Sequence, residues 1–122
     1  MTVMGAINHI NTIKPNGYGQ SEKLKWLSTL DGMIKAEIID IHEGAEGVKF
    51  SPYTDSSFTS EMLVPAPYDD IYIKWLEAQI DYANGEYGKY NNSITMFNAA
   101  YEAFEKYYNR THMPKSHGYT SW

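Results

Sequence analysis

The chain of 122 residues contains no cysteine. Disulfides and cysteine-based zinc sites are therefore excluded. No run of about 18 apolar residues occurs, so no segment reads as a membrane-spanning helix. The start, Met1-Thr2-Val3-Met4, lacks a basic region and a long apolar core. No signal peptide is read there, and folding in a reducing cytoplasm is the expectation. Positive charge is also scarce: 10 Lys and Arg face 15 acids, for a net charge of −5. That balance argues against general nucleic-acid binding, because phosphate contacts need Lys and Arg. A Gly-rich phosphate loop is missing, as is any Ser-His-Asp ordering of the usual kinds.

What is present is apolar and aromatic. Hydrophobic residues make up 43% of the chain, with 11 Tyr, 3 Trp and 4 Phe. This is enough for a core in one domain, assigned to residues 1–114, with residues 115–122 as a C-terminal tail. The strongest pattern lies between Glu86 and His112. Tyr87, Tyr90, Ile94, Phe97, Tyr101, Phe104 and Tyr108 recur at alternating gaps of three and four. Such spacing predicts one long helix with a continuous apolar stripe, closed by Met113-Pro114. Tyrosine hydroxyls need water or a partner, so the stripe is expected to be part core and part interface.

Three more helices are read upstream. Thr2 can cap a short one over 3–13, stopped by Pro15-Asn16-Gly17. Ser21 is the expected cap of a second, over 22–42, with Leu24, Leu27, Leu30, Ile34, Ile38 and Ile41 on its apolar face. Asp31-Gly32 is its weak point, since Gly in mid-helix costs about 1 kcal/mol against Ala. A third, over 69–84, starts with Asp69 and Asp70 in its first turn and should be the most buried. Asn84-Gly85 ends it, and the short link makes the last two helices an antiparallel hairpin. The fold expected is all-α: a small four-helix domain with a long C-terminal helix and a long, partly extended loop over about 48–67. Val48-Lys49-Phe50 and Met62-Leu63-Val64 in that loop could pair as a short β-hairpin. So long a loop is usually functional or disordered. Phe50, Tyr53 and Phe58 either pin it to the body or plug into a neighbouring subunit.

Candidate chemistry is sparse. Asp40, His42, Glu43 and Glu46 read as a solvated helix end. His112 and His117 straddle a proline and share no helix face. Asp69, Asp70, Glu77 and Asp81 read as surface acids, with nothing to raise one member for acid–base work. The chain is read as a non-enzyme without metal or cofactor. Charge is unevenly spread. Residues 1–36 carry a net +2, residues 37–86 a net −9 and residues 87–122 a net +2. Either the middle is a solvated acidic face, or oppositely charged flanks stack side by side, as in ring-forming heterologous contacts. Surface aromatics favour assembly. The candidate interface residues are Phe50, Tyr53, Phe58, Tyr90, Tyr101 and Tyr108, with Tyr119 and Trp122 in a tail that is either frayed or a docking element.

Several segments carry a resemblance. Tyr90-Asn91-Asn92-Ser93, Met96-Phe97-Asn98-Ala99-Ala100-Tyr101 and Tyr107-Tyr108-Asn109-Arg110-Thr111-His112-Met113-Pro114 resemble small proteins of tailed phages and prophages of Gram-positive hosts. Ile13-Lys14-Pro15-Asn16, Lys25-Trp26-Leu27-Ser28, Glu37-Ile38-Ile39-Asp40, His42-Glu43-Gly44-Ala45-Glu46, Pro52-Tyr53-Thr54 and Leu63-Val64-Pro65 agree. The likeness is to head–tail connector, or head-completion, proteins. It implies a structural virion protein, made in the host cytoplasm, with no cofactor or catalysis. It also implies a homo-oligomeric ring of twelvefold order between the portal protein and the tail-side connector proteins. DNA would only pass through its channel, where an acidic wall lets it slide without sticking. The alternative is a small helical adaptor or regulator of phage or host, dimerising through the tyrosine stripe. The stripe itself is testable: Phe97→Ala should lower stability by about 3–5 kcal/mol in chemical denaturation, as loss of a core Phe does. An unchanged midpoint would put Phe97 outside the core.

Overall fold

In the computed structural model, which describes residues 1–115, the chain forms four α-helices and no strand among the described residues. These are α1 (Val3–Ile13), α2 (Gln20–Ile34), α3 (Ile71–Ala83) and α4 (Tyr87–Thr111). The all-α expectation holds. Residues 116–122 lie outside the described chain, and with them the expectations for Tyr119 and Trp122.

Thr2 caps α1 as its residue type suggests, accepting from the Gly5 N–H at 3.0 Å. The Val3 and Met4 amides, which also lack helical partners, donate to the carbonyls of Ser60 and Phe58 at 3.1 and 3.0 Å. Loop 48–67 thus closes the start of α1. Its Met62 N–H donates to Met1, and Thr2 forms a lone antiparallel bridge with Glu61. The hairpin considered for Val48–Phe50 and Met62–Val64 is not formed, because the second run pairs with the chain start instead.

Gly19, not Ser21, stands at the N-cap of α2. The helix does not run on to residue 42 in α form. It passes into a π turn over Lys35–Ile39, where the Asp40 N–H reaches the Lys35 carbonyl at 2.8 Å. A wide turn shifts the buried face by one position. Ile39 therefore joins Ile38 in the core, while Ile41, expected inside, is 53% exposed. Asp69 and Asp70 fall in a separate 3₁₀ turn, Tyr68–Asp70, just ahead of α3.

Helix α3 has seven buried residues of 13, Ile71, Tyr72, Ile73, Leu76, Ala78, Ile80 and Asp81. It ends in a Schellman motif. Gly85 takes φ +73°, its N–H bonds the Tyr82 carbonyl, and the Glu86 N–H bonds Asp81. The chain then reverses. Ser93 meets Asp81, Phe97 meets Trp75, and Tyr107 meets Tyr68, so α3 and α4 are antiparallel. The core between them and α1 and α2 is mostly Ile, Leu and Val at or near zero exposure. Each such side chain contributes about 1.5–3 kcal/mol on burial.

One polar group is set into this core. Asp31 is fully buried, and its carboxylate accepts from the Tyr72 hydroxyl at 2.6 Å, the Tyr53 hydroxyl at 2.5 Å and the Leu63 N–H at 3.2 Å. It ties α2 to α3 and to both limbs of the loop. Among the described residues no Lys, Arg or His pairs with it. Three hydrogen bonds to a charged acceptor, each about 1.5–3 kcal/mol, offset a burial penalty of several kcal/mol. Burial pushes the Asp31 carboxyl above the usual carboxylate range, against the pull of those three donors. The native state then holds this proton more tightly than the unfolded chain. Stability should fall as pH rises from the ordinary carboxylate value through the folded one. In thermal melts, the advantage of wild type over Asp31→Asn should therefore shrink as pH rises across that window. An advantage that grows would show a depressed carboxyl. Tyr72→Phe strips the partner from the buried Val64 N–H as well, at an expected cost of about 1–3 kcal/mol.

Candidate assembly surface

The aromatic stripe of α4 divides along its length. The helix has 25 residues, about 37 Å, while α3 has 13 and reaches only about 20 Å. Phe97, Phe104 and Tyr108 are buried, and Ile94 and Tyr101 are half-buried. Tyr87 lies beyond the end of α3 and is 59% exposed. The C-terminal half of α4 packs on the Tyr68–Asp70 turn and the π turn instead. Ala99 and Ala103 face outward and Ala100 inward.

Most candidate interface residues are used inside the molecule. Tyr53 serves Asp31, and its backbone N–H donates to the Ser28 hydroxyl at 2.7 Å. Its phenol is pushed up by burial and by the carboxylate beside it. Phe50 packs edge-on to Tyr53, with ring centroids 5.5 Å apart, and its ring lies over Gly32. Phe58 is half-buried against the core. These three pin the loop to its own body. Tyr101 is half-buried, and its hydroxyl donates to Glu37 at 2.5 Å. Burial first, then Glu37, pushes that phenol up. Tyr108 is a core residue against Phe104 and His42.

His42 is not part of a solvated helix end. It is 2% exposed; Nδ1 donates to the Ile38 carbonyl at 2.6 Å, and Nε2 meets the Asn109 amide at 2.9 Å. His112 stacks on Tyr108 at 3.8 Å. Beyond it the chain is held against residues 41–43, which follow the π turn. Glu43 N–H donates to Met113 at 2.8 Å, and Lys115 N–H to Ile41 at 3.1 Å, flanking an antiparallel bridge between His42 and Pro114. These bonds hold the chain against the body as far as Lys115.

Two other ionisable groups are buried. Asp81, expected on the surface, accepts from the Ser93 hydroxyl at 2.9 Å and pairs with the Lys14 ammonium at 2.7 Å. It joins the end of α1 to the α3–α4 turn. Lys23 is 2% exposed and donates to the Asn11 side chain and the Tyr18 carbonyl at 2.8 and 2.6 Å. Burial lowers its pKa. Among the described residues no three or more His, Asp or Glu converge as metal ligands, and no helix is long and apolar enough to cross a membrane.

Apolar side chains remain outside at both ends of α4, with Met96 in its middle and Ile13 at the end of α1 also about half exposed. At the start of α4, Tyr82 packs edge-to-face on Tyr87 and Tyr90, with centroids 5.6 and 5.2 Å apart. Tyr82 is 57% exposed and Tyr90 half-buried. The Tyr18 hydroxyl, donating to Asn84 at 2.7 Å, braces this turn. At the other end stand Ile41 and Met113, the latter 68% exposed. Of the predicted residues that are described, only Tyr90 lies at either end. Tyr82 was hidden in the α3 pattern, and Ile41 and Met113 depend on the π turn and on the pairing after α4.

No protein-family model, curated protein or solved structure matches this chain. Tyr87→Ala should leave the melting free energy within about 0.5 kcal/mol, as expected of a surface change. A loss comparable to that for Phe97→Ala would mean that the stripe is continuous core.

Proposed function

We propose that this chain is a structural virion subunit that joins a phage head, at its portal, to the tail as one copy of an oligomeric ring. The observation that carries this reading is the tyrosine cluster left on the surface at the α3–α4 turn. Tyr82 and Tyr87 are each more than half exposed although they pack on one another. Tyr is favoured in interfaces because its ring is apolar and its hydroxyl polar. A charge-free stretch follows on α4: from Tyr90 to Tyr101 no residue is ionic, and Asn91, Asn92, Thr95, Met96, Asn98 and Ala99 are exposed. Depletion of charge is the compositional mark of an interface centre.

The resemblance of the Tyr90–Pro114 segments to head–tail connector proteins supplies the setting: a virion, assembled in the host cytoplasm, with the portal and tail-side proteins as neighbours. On this reading the chain acts by contact, without catalysis or a cofactor. A small adaptor dimerising through the tyrosine stripe is less well supported, because Phe97, Phe104 and Tyr108 are spent on the chain's own core.

Light scattering after size exclusion and negative-stain microscopy test the proposal. The expected result is closed rings of many copies, with an opening wide enough for duplex DNA. A chain that stays monomeric or dimeric at the highest attainable concentration overturns it.

A further inference from the structure

Two Asn-Gly pairs interrupt the helices, Asn16-Gly17 between α1 and α2 and Asn84-Gly85 between α3 and α4. In such a pair the glycine nitrogen can close a five-membered ring on the asparagine amide, because no Cβ shields it. The chain has eight asparagines, and the other six lie inside α1 or α4, where the amide that follows is tied into the helix. The two pairs differ at the nitrogen rather than at the carbonyl. Both side-chain oxygens accept a hydrogen bond from Tyr18. Asn16 Oδ1 takes its backbone N–H at 3.0 Å, in an Asx turn, and Asn84 Oδ1 takes its hydroxyl at 2.7 Å. Either bond steadies the oxygen as it turns anionic under attack. The Gly85 N–H, however, is held by the Tyr82 carbonyl at 3.0 Å, and Asn84 keeps a helical ψ of −8°. The Gly17 N–H has no hydrogen-bond partner among the described residues, and Gly17 is exposed. Nothing lies within 4 Å of the place a Cβ would take there.

From this contrast we infer that Asn16-Gly17 is a site of spontaneous deamidation, while Asn84-Gly85 is locked against the same reaction. The Gly17 nitrogen gives up its proton to hydroxide and bonds to Asn16 Cγ. The Cγ–Nδ2 bond breaks, and the amide leaves as ammonia with a proton from water. Water then opens the cyclic imide at either carbonyl, which leaves aspartate or isoaspartate. One water enters and one ammonia departs, with no change in oxidation state. What Asn16 touches sets the consequence. Its Nδ2 donates to the Lys14 carbonyl at 2.9 Å and lies 3.4 Å from Asn11 Oδ1, which takes the buried Lys23 ammonium at 2.8 Å. Either product lacks that donor and brings a carboxylate to the same place, and isoaspartate also adds a methylene to the main chain. Both changes fall in the link that positions Tyr18, whose carbonyl holds Lys23 and whose hydroxyl braces the α3–α4 turn. This chemistry is independent of any assembly of the chain.

Peptide mapping by mass spectrometry tests the assignment on the full chain. Native protein is kept warm in mildly alkaline buffer beside a sample unfolded in urea. In the native sample Asn16 should convert to aspartate and isoaspartate several-fold faster than Asn84. In urea, where both glycine nitrogens are free, the two rates should converge. Gly17→Ala adds its Cβ in open space, and φ at this position lies outside the left-handed region. Its melting temperature should therefore be unchanged, while Asn16 converts several-fold more slowly. Native Asn84 converting as fast as Asn16, or native Asn16 staying intact, overturns the inference. A preference for Asn16 that persists undiminished in urea overturns it too, because neighbouring sequence and not the fold would then select the site. So does undiminished conversion in Gly17→Ala, since the glycine nitrogen would not be the nucleophile.

Discussion

A carboxylate with no cation beside it holds this molecule together. Asp31 lies in the last turn of α2, and its three donors come from α3, from Tyr53 and from the Leu63 amide. Taken separately, none of those segments has reason to be where it is. The loop from 48 to 67 has no strand of its own, and Tyr72 would be a poor core residue without a partner for its hydroxyl. The Tyr72 oxygen completes the arrangement by accepting from Val64 N–H, so no donor in that corner is left bare. An apolar residue at 31 would remove the burial cost and, with it, the only acceptor for three groups.

Once the loop is docked, it finishes the start of α1 through the Ser60 and Phe58 carbonyls. Lys14, just past the end of that helix, then reaches Asp81, and Asp81 holds Ser93 on α4. The buried polar groups thus form a set of ties, each spanning elements distant in sequence. The apolar side chains supply most of the free energy; these ties decide which faces meet.

The mismatch in length between α3 and α4 produces the surface. A helix of 25 residues cannot be covered by one of 13. One half of α4 finds other partners, the π turn and the Tyr68–Asp70 turn, while the tyrosines of the first turn pack on Tyr82. At the far end the π turn rotates Ile41 out of the core, and the chain after α4 lays Met113 near it. These exposed apolar side chains at the two ends of α4 therefore each have a local structural origin.

Helix number, helix type and most bounds were legible from residue order, because period, caps and breakers act within a few positions of one another. Thr2, Asn84-Gly85 and the three-four spacing from Tyr87 to Tyr108 needed no distant partner to have their effect. The direction of individual side chains was less legible. Whether Tyr108 is core and Tyr87 surface depends on how far α3 extends beside them. Whether Asp31 is a flaw or an anchor depends on residues 22 to 41 positions away. His42 and Asp81 read as exposed because their partners, Asn109 and Lys14, are remote in the chain. The sequence by itself determined an all-helical domain with a long final rod, since backbone hydrogen bonding and periodicity are local. Only the tertiary structure decided which aromatic and aliphatic groups stay outside, since burial is set by what another element happens to cover.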